Sequence, residues 1–495
     1  MLIGLLLVLT GCDSFVDQNP DTFVSSSEFY SSPDEVEQGV AGVYSQLQSL
    51  YDVGGADFFA FTEMRTDNTT FQYNAGNRGD FEMESLDDFT IAADNGPTEE
   101  LWSELYEGVL QANVVLTRID GVEFNDNARK SRLRGEAQFL RGLYYYHLVN
   151  LWGGVPLILE EVASPDEAFT EEGRASAEAV RQQIISDAQS AVSNLPTRAE
   201  AKPGHATKSS ARMLLSKTHM WQGNYGAAVD PLRQVRDSEY GLLEDYASIY
   251  DPANKNHREA IFSVQYDASL ANGAESSTFL YRFVPFNSVN SADLTFGNQG
   301  SVAFAGYNIP TRDMLDSYEQ GDERLQASIG FYVKEENSQF PVAIGDSIPY
   351  VEKYRHEHGI EFETPDNFPV FRYAEALLLL AEAINETDGP TSEAFSALNA
   401  VRDRAGLDPL SGLSQDQFRE AVHEEQQVEL AFENKRWYDL LRTGRMVEVM
   451  RPHGQRMLQL IPRLTPSTYQ VEGKQRLPIP AREVRLNNLE QNPNW

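Results

Sequence analysis

The chain has 495 residues, 41% of them apolar and 11% aromatic, which supports a sizeable core and excludes wholesale disorder. It carries 75 Asp and Glu against 40 Lys and Arg, a formal net charge of −35, and so lacks the basic footprint that nucleic-acid phosphates demand. With 34 Gly and one Cys it is neither collagen nor a disulfide-rich scaffold. The charge is uneven: residues 1–110 hold 21 acidic residues and two basic ones, Arg65 and Arg78, and over the whole chain Arg outnumbers Lys 31 to 9. Acid excess with little Lys fits a saline habitat and a high genomic GC content equally well.

The chain opens Leu2-Ile3-Gly4-Leu5-Leu6-Leu7-Val8-Leu9-Thr10-Gly11-Cys12. So short an apolar run cannot cross ~30 Å of hydrocarbon, which takes about 20 helical residues, but it has the length of a signal-peptide core. The charged n-region of such leaders is missing, which points to a start upstream. Leu9-Thr10-Gly11-Cys12 resembles the bacterial lipobox. That resemblance implies that residues 1–11 are a lipoprotein signal peptide and that Cys12 is lipidated on sulfur and acylated on its new amino group. The alternative is an ordinary secretory leader with an incidental Cys. Several acyl chains, at about 0.8 kcal/mol per buried CH₂, anchor stably where one does not. Residues 12–32, with Asp13, Asp17 and Asp21, then form the lipidated Cys and an acidic tether.

Apolar spacing of three and four predicts helices over 34–51 (Val36, Val40, Val43, Leu47), 98–120 (Leu101, Leu105, Val109, Ala112) and 128–151 (Leu133, Ala137, Leu140, Tyr144, Leu148). Trp102 and residues 144–146 are expected in the core. Gly153-Gly154-Val155-Pro156 ends the third helix. Residues 207–238 read as a helix–turn–helix unit around Gly223-Asn224-Tyr225-Gly226-Ala227-Ala228, a pattern similar to a tetratricopeptide repeat, with Pro231 awkwardly inside its second helix. Residues 369–407 repeat the theme across Thr387-Asp388-Gly389-Pro390, and a third helix is predicted over about 414–434. Between 240 and 368, and over 52–97, the periodicity fails. Short strands are expected at 260–266 and 330–333, and such loop-rich stretches are where binding residues collect on a rigid scaffold.

Four segments carry a family resemblance. Residues 134–146 (RGEAQFLRGLYYY) with 151–157 (LWGGVPL), residues 371–383 (FRYAEALLLLAEA), Glu425 with residues 428–433 (VELAFE) and 436–440 (RWYDL), and finally Leu477-Pro478-Ile479-Pro480 with Gln491-Asn492-Pro493 resemble, in order, the signatures of SusD/RagB lipoproteins. The resemblance covers essentially the whole chain. It implies a mainly α fold, a tetratricopeptide-type helical-repeat scaffold with a loop-rich variable region. It also implies a non-catalytic nutrient-uptake lipoprotein on the cell outer membrane that captures oligomers, most often glycans and alternatively peptides. Such proteins act as a hinged lid on a SusC-like TonB-dependent transporter. The expected divisions are 1–11, 12–32, 33–240, 241–368 and 369–495, with 33–495 one compact unit.

The signature residues Glu429, Glu433, Arg436, Trp437 and Asp439 read as structural. Glu425, Glu429 and Glu433 repeat at i, i+4, i+8, where like charges repel unless countered, and Arg436, Arg442 and Arg445 are the nearest candidates to counter them. No nucleophile elbow, zinc-protease helix or phosphate-cradling loop occurs, and no carboxylate pair is marked out for glycoside hydrolysis. His356-Glu357-His358 offers two imidazoles without further ligands at metal-site spacing, so no metal is expected there. The carboxylates of residues 80–88 could take Ca²⁺; no other cofactor is implied. A sugar needs flat rings for its C–H face and polar groups for its hydroxyl rim. Phe71, Tyr73, Asn74 and Arg78 supply that mixture in one loop, and Tyr281, Phe286 and Phe296 in another. The acidic balance disfavours polyanionic cargo unless Arg65 or Arg78 makes a local exception.

Overall fold

The computed structural model describes residues 29–52, 56–73, 80–162, 173–269, 275–286, 294–297, 305–333, 346–466 and 469–495. Cys12, the tether up to residue 28, Asn74 and Arg78 lie outside them.

Polar caps start the helices. Ser32 and Glu35 close a capping box on α1 (Pro33–Tyr51), and Asn95, Asp126, Ser176 and Thr207 cap α3 (Gly96–Arg118), α4 (Asn127–Trp152), α5 (Ala177–Asn194) and α6 (Lys208–Trp221). Before α3 come β1 (Thr69–Thr70) and the short α2 (Phe81–Asp87). α7 (Tyr225–Arg236) accommodates Pro231 in its interior. α5 is the long helix that the sequence expectations lack. Its apolar stripe, Val180, Ile184, Ala188 and Ala191, is thin and diluted by Gln and Ser.

These helices stack in series. α1 packs on α3 and α4, and each of α3 to α7 packs on the next. At the α3–α4 crossing a Cβ on Gly108 would sit 2.5 Å from the Tyr144 ring, so only glycine lets the helices approach this closely. Tyr144 there donates its hydroxyl to the Val43 carbonyl (2.7 Å). Trp102 packs edge-on against Trp152 at 5.2 Å, and Tyr144, Tyr145 and Tyr146 are all buried.

The series does not follow the chain after α7. α7 packs directly on α11 (Tyr373–Asp388), which in turn packs on α12 (Ser392–Arg404) and α13 (Gln415–Glu429). Residues 237–372 are therefore an insertion between neighbouring helices. They contain β2 (Ala260–Val264), α8 (Phe279–Phe283), β3 (Ile309–Pro310), α9 (Arg312–Asp316), α10 (Arg324–Ser328), β4 (Ile329–Val333), β5 (Ser347–Val351) and β6 (Phe368–Arg372). The expected strands are β2 and β4. The predicted start of a helical unit at 369 is instead strand, because β6 pairs antiparallel with β2, Arg372 opposite Ala260 and Phe368 opposite Val264. α14 (Arg436–Arg442), α15 (Met446–Leu460) and α16 (Ala481–Leu486) complete the chain.

One continuous core runs from Val36 to Leu489. A second, smaller core lies under the insertion, where Tyr73, Leu280, Tyr281, Val284, Tyr332 and Ile348 meet Met457 of α15 and Ile461 just past its end. The fold is mainly α, a helical-repeat scaffold with a loop-rich insertion. Among the described residues no helix is long and apolar enough to cross a membrane.

Candidate ligand-binding site

The insertion presents a group of rings on the second core. α8 points Tyr281 into that core, and burial pushes the phenol up to about 12. Its hydroxyl meets His358 Nε2 at 2.5 Å, while His358 Nδ1 lies 2.9 Å from the His356 carbonyl. The carbonyl can only accept, so Nδ1 carries the proton and Nε2 accepts from Tyr281. Phe362 covers the Tyr281 ring at a centroid distance of 4.3 Å. Across His358, edge-on at 6.3 Å, stands Phe296, and the Arg355 guanidinium lies 4.5 Å from its centroid. Arg355 is held by the Leu294 carbonyl (3.1 Å) and Glu352 (3.0 Å).

The buried members of this group support, and the outer ones are offered to solvent. Phe296 is 38% exposed, Phe362 41% and Ile360 57%, apolar groups with the charged Arg355 against Phe296 and Glu361 near Tyr281. Phe296 and Phe362 both have positive φ, +55° and +60°. Bulky residues rarely adopt that backbone; Phe89 and Phe432 share it but are buried, so it is exposure together with strain that sets Phe296 and Phe362 apart.

The other expected ring contacts lie elsewhere. Tyr73 is buried in the second core, 5.7 Å from the Arg463 guanidinium, and Phe286 is buried with its N–H on Gln72 (2.8 Å). Phe71 is half-buried, edge-on to Tyr307. These rings do not join the Phe296–Phe362 surface. Phe362 escaped the sequence reading, although Ile360-Glu361-Phe362-Glu363 alternates apolar and charged residues in a loop. Arg65 is no surface exception to the acidity. It is buried, its guanidinium 4.2 Å from Trp437 and 4.9 Å from Phe89.

Residues 80–88 form capped α2 instead of an open loop. Asp80 caps it and meets Tyr307, Glu84 and Asp88 both face Arg463, and Asp87 accepts from Thr70. His356 pairs with buried Asp366. Among the described residues no three His, Cys, Asp or Glu converge as metal ligands.

Two family models match the chain. Residues 258–495 match the SusD family, and residues 14–220 match the family described as starch-binding, associating with outer membrane. The chain belongs to the SusD/RagB family. A SusD-like protein of Formosa agariphila is 28% identical over 98% of this chain and 96% of its own. A solved laminarin-binding SusD-like protein is 26% identical with a TM-score of 0.77, over 94% of this chain and 100% of that one. A SusD homologue of Bacteroides thetaiotaomicron, 22% identical, shares the fold with a TM-score of 0.79 over 95% and 98%.

The SusD signature helix ends in a buried ion network. Glu425 meets Arg324 (2.5 Å) and Arg402 (3.1 Å), Glu429 meets Arg324 (3.0 Å), Arg372 and Arg404, and Glu433 meets Arg372 (2.7 Å) and Lys353 (2.9 Å). The expected counter-ions are occupied elsewhere: Arg436 on Asp67 (2.7 Å), Arg442 on Glu382 and Asp439, Arg445 on Glu420. Glu433 is also past the helix, because α13 ends at Glu429 and Phe432 and Asn434 turn the chain with φ of +65° and +60°. Burial alone would raise these carboxyls. Arg404, Arg372 and Arg324 instead hold Glu429 far below the usual carboxylate range, and Arg372 and Lys353 hold Glu433 down to about 2. Because Arg372 ends β6 and Glu259 precedes β2, the network pins the mouth of the insertion to the helical scaffold.

Proposed function

We propose that this SusD-family chain is a non-catalytic, lipid-anchored surface protein of the outer membrane. It binds glycan oligomers on the Phe296–Phe362 surface and passes them to a SusC-like TonB-dependent transporter. The observation that carries the reading is the pair of exposed rings in strained backbone, backed by buried Tyr281 and rimmed by charge. The laminarin-binding relative and the outer-membrane association in the matched family's description support it. A pyranose lays its apolar C–H face on Phe296 and Phe362, while Arg355 and the adjacent carboxylates take its hydroxyls. The net charge of −35 favours neutral over polyanionic chains.

Affinity electrophoresis and calorimetry against laminarin, starch, a uronate-rich glycan and peptides test the reading. Phe296→Ala with Phe362→Ala should weaken binding of the preferred neutral glycan at least tenfold, about 1.4 kcal/mol or more. The melting temperature should hold, since both rings are exposed. Glycan turnover by the purified protein, or binding confined to peptides, would overturn it.

A further inference from the structure

A second site lies on the helical side, far in sequence from the aromatic surface. We infer that the groove between α1, residues 198–207 and β2 is a separate binding site for a short neutral sugar. It consists of two adjoining depressions of about 420 and 250 Å³ that share Pro203, Gly204, His205, Phe262 and Ser263 as their common wall. The larger has the size of an ordinary small-molecule site, about 300–1,000 Å³.

The wall is built for close approach. Gly204 has φ +80°, and a Cβ there would sit 2.6 Å from the Gln265 side chain, so only glycine lets this backbone lie against β2. The polar lining is fixed from behind. His205 Nδ1 lies 3.3 Å from Glu136, which is fully buried and whose second carboxylate oxygen has no partner. With Nδ1 engaged, Nε2 is the ring nitrogen available to a ligand, and the imidazole is 31% exposed. The Tyr44 hydroxyl accepts from Ala206 N–H (2.9 Å) and its ring stands edge-on to His205 at 5.2 Å. At the far end the Arg198 guanidinium lies 5.1 Å from the Tyr240 centroid and donates to the Asn256 carbonyl (3.2 Å).

The chemistry is that of a hydroxyl-rich ring with one apolar face. Pro203, Phe262 and Ile261 give an apolar floor. Gln48, Gln265 and Asn256 are amides held by one another and by backbone, with Gln48 on the Gln265 carbonyl (2.8 Å) and Asn256 on the Gln265 amide oxygen (2.8 Å). Charges of both signs stand at the rim: Lys202 is paired with Glu37 (2.9 Å), and Glu239 and Glu275 close the ends. No excess of either sign favours an ionic ligand.

Calorimetric titration of the full chain with laminaritriose and maltotriose tests this. The ligand class is shared with the proposed function, but the sites have no residue in common, so the variants separate the two. Wild type should bind two trisaccharides per chain, and Phe296→Ala/Phe362→Ala should keep one. Ala41→Trp, which enters the smaller depression from an exposed position on α1 and so leaves no room for a trisaccharide lying across both, should remove that one while the melting temperature holds. Ser45→Trp, one turn along the same face, repeats the test if Ala41→Trp unfolds. One trisaccharide per chain, lost with the two Phe and untouched by either Trp, overturns the groove and leaves the aromatic surface standing. Binding blocked by Trp and indifferent to the two Phe upholds the groove and overturns the aromatic surface. Binding of neither trisaccharide overturns the groove, while the aromatic surface is judged on the wider glycan panel.

Discussion

Phe296 and Phe362 hold a backbone conformation that costs on the order of 1–3 kcal/mol each, and nothing in a hydropathy pattern announces it. Composition singled out the loop around Phe296 but missed Phe362, because ring exposure is decided by the second core beneath and not by neighbours in sequence. The same core buries Tyr73, similar in local composition, while Phe286 is buried with its N–H on Gln72. Tyr73→Ala should therefore destabilise the fold as well as remove a ring, a cost of about 3–5 kcal/mol for a large core residue. Burial also decides the behaviour of Asp87. It pushes this carboxyl up to about 8 although Thr70 donates to it at 2.8 Å. Its unfolded value is near 3.9, so the folded chain binds the extra proton across that interval. The associated stability is complete below about pH 4 and is lost as pH rises through about 8. Asp87→Asn keeps the acceptor for Thr70 and removes the proton. Calorimetry should give a flatter melting temperature between pH 5 and 8, with the variant above wild type at pH 8.

Helices are the elements that the sequence declares best. α1, α3 and α4 fall within two residues of their predicted bounds because a stripe of apolar residues at helical spacing is local information. The β2–β6 pair is not local: its strands are about a hundred residues apart, and each is too short and too buried to show alternation. The ion network follows the same rule. Three glutamates on one signature are visible at once, but Arg324, Arg372 and Arg404 reach them from α10, β6 and α12. Removing one charge leaves its partners buried and uncompensated. Glu429→Gln should cost about 3–5 kcal/mol, read as a lowered denaturation midpoint. On the acid side, the stabilisation carried by Glu433 is present above its unfolded value near 4.3 and is lost as pH falls through about 2. Unfolding in acid should begin in that window, and tryptophan fluorescence will follow it, since Trp437 is buried in the core against Arg65 and Phe89.

For the whole molecule, the order of the signatures was enough to name the family and its helical scaffold, while the proposed ligand surface was only partly legible. The proposed lipid anchor belongs to this scale. Cys12→Ala should move the protein from the membrane fraction to the soluble fraction with an unchanged circular dichroism spectrum, because the core runs from Val36 onward without it. Retention on the membrane by the variant would place the attachment in the chain itself.

The packing of α7 directly on α11, with the intervening chain leaving through β2 and returning through β6, gives the insertion a two-stranded stem. The span between those strands is a cassette. Exchanging the span at β2 and β6 would change the loops it presents and leave the helical scaffold as it was. Chimeras cut at these strands would show whether the proposed recognition travels with the cassette.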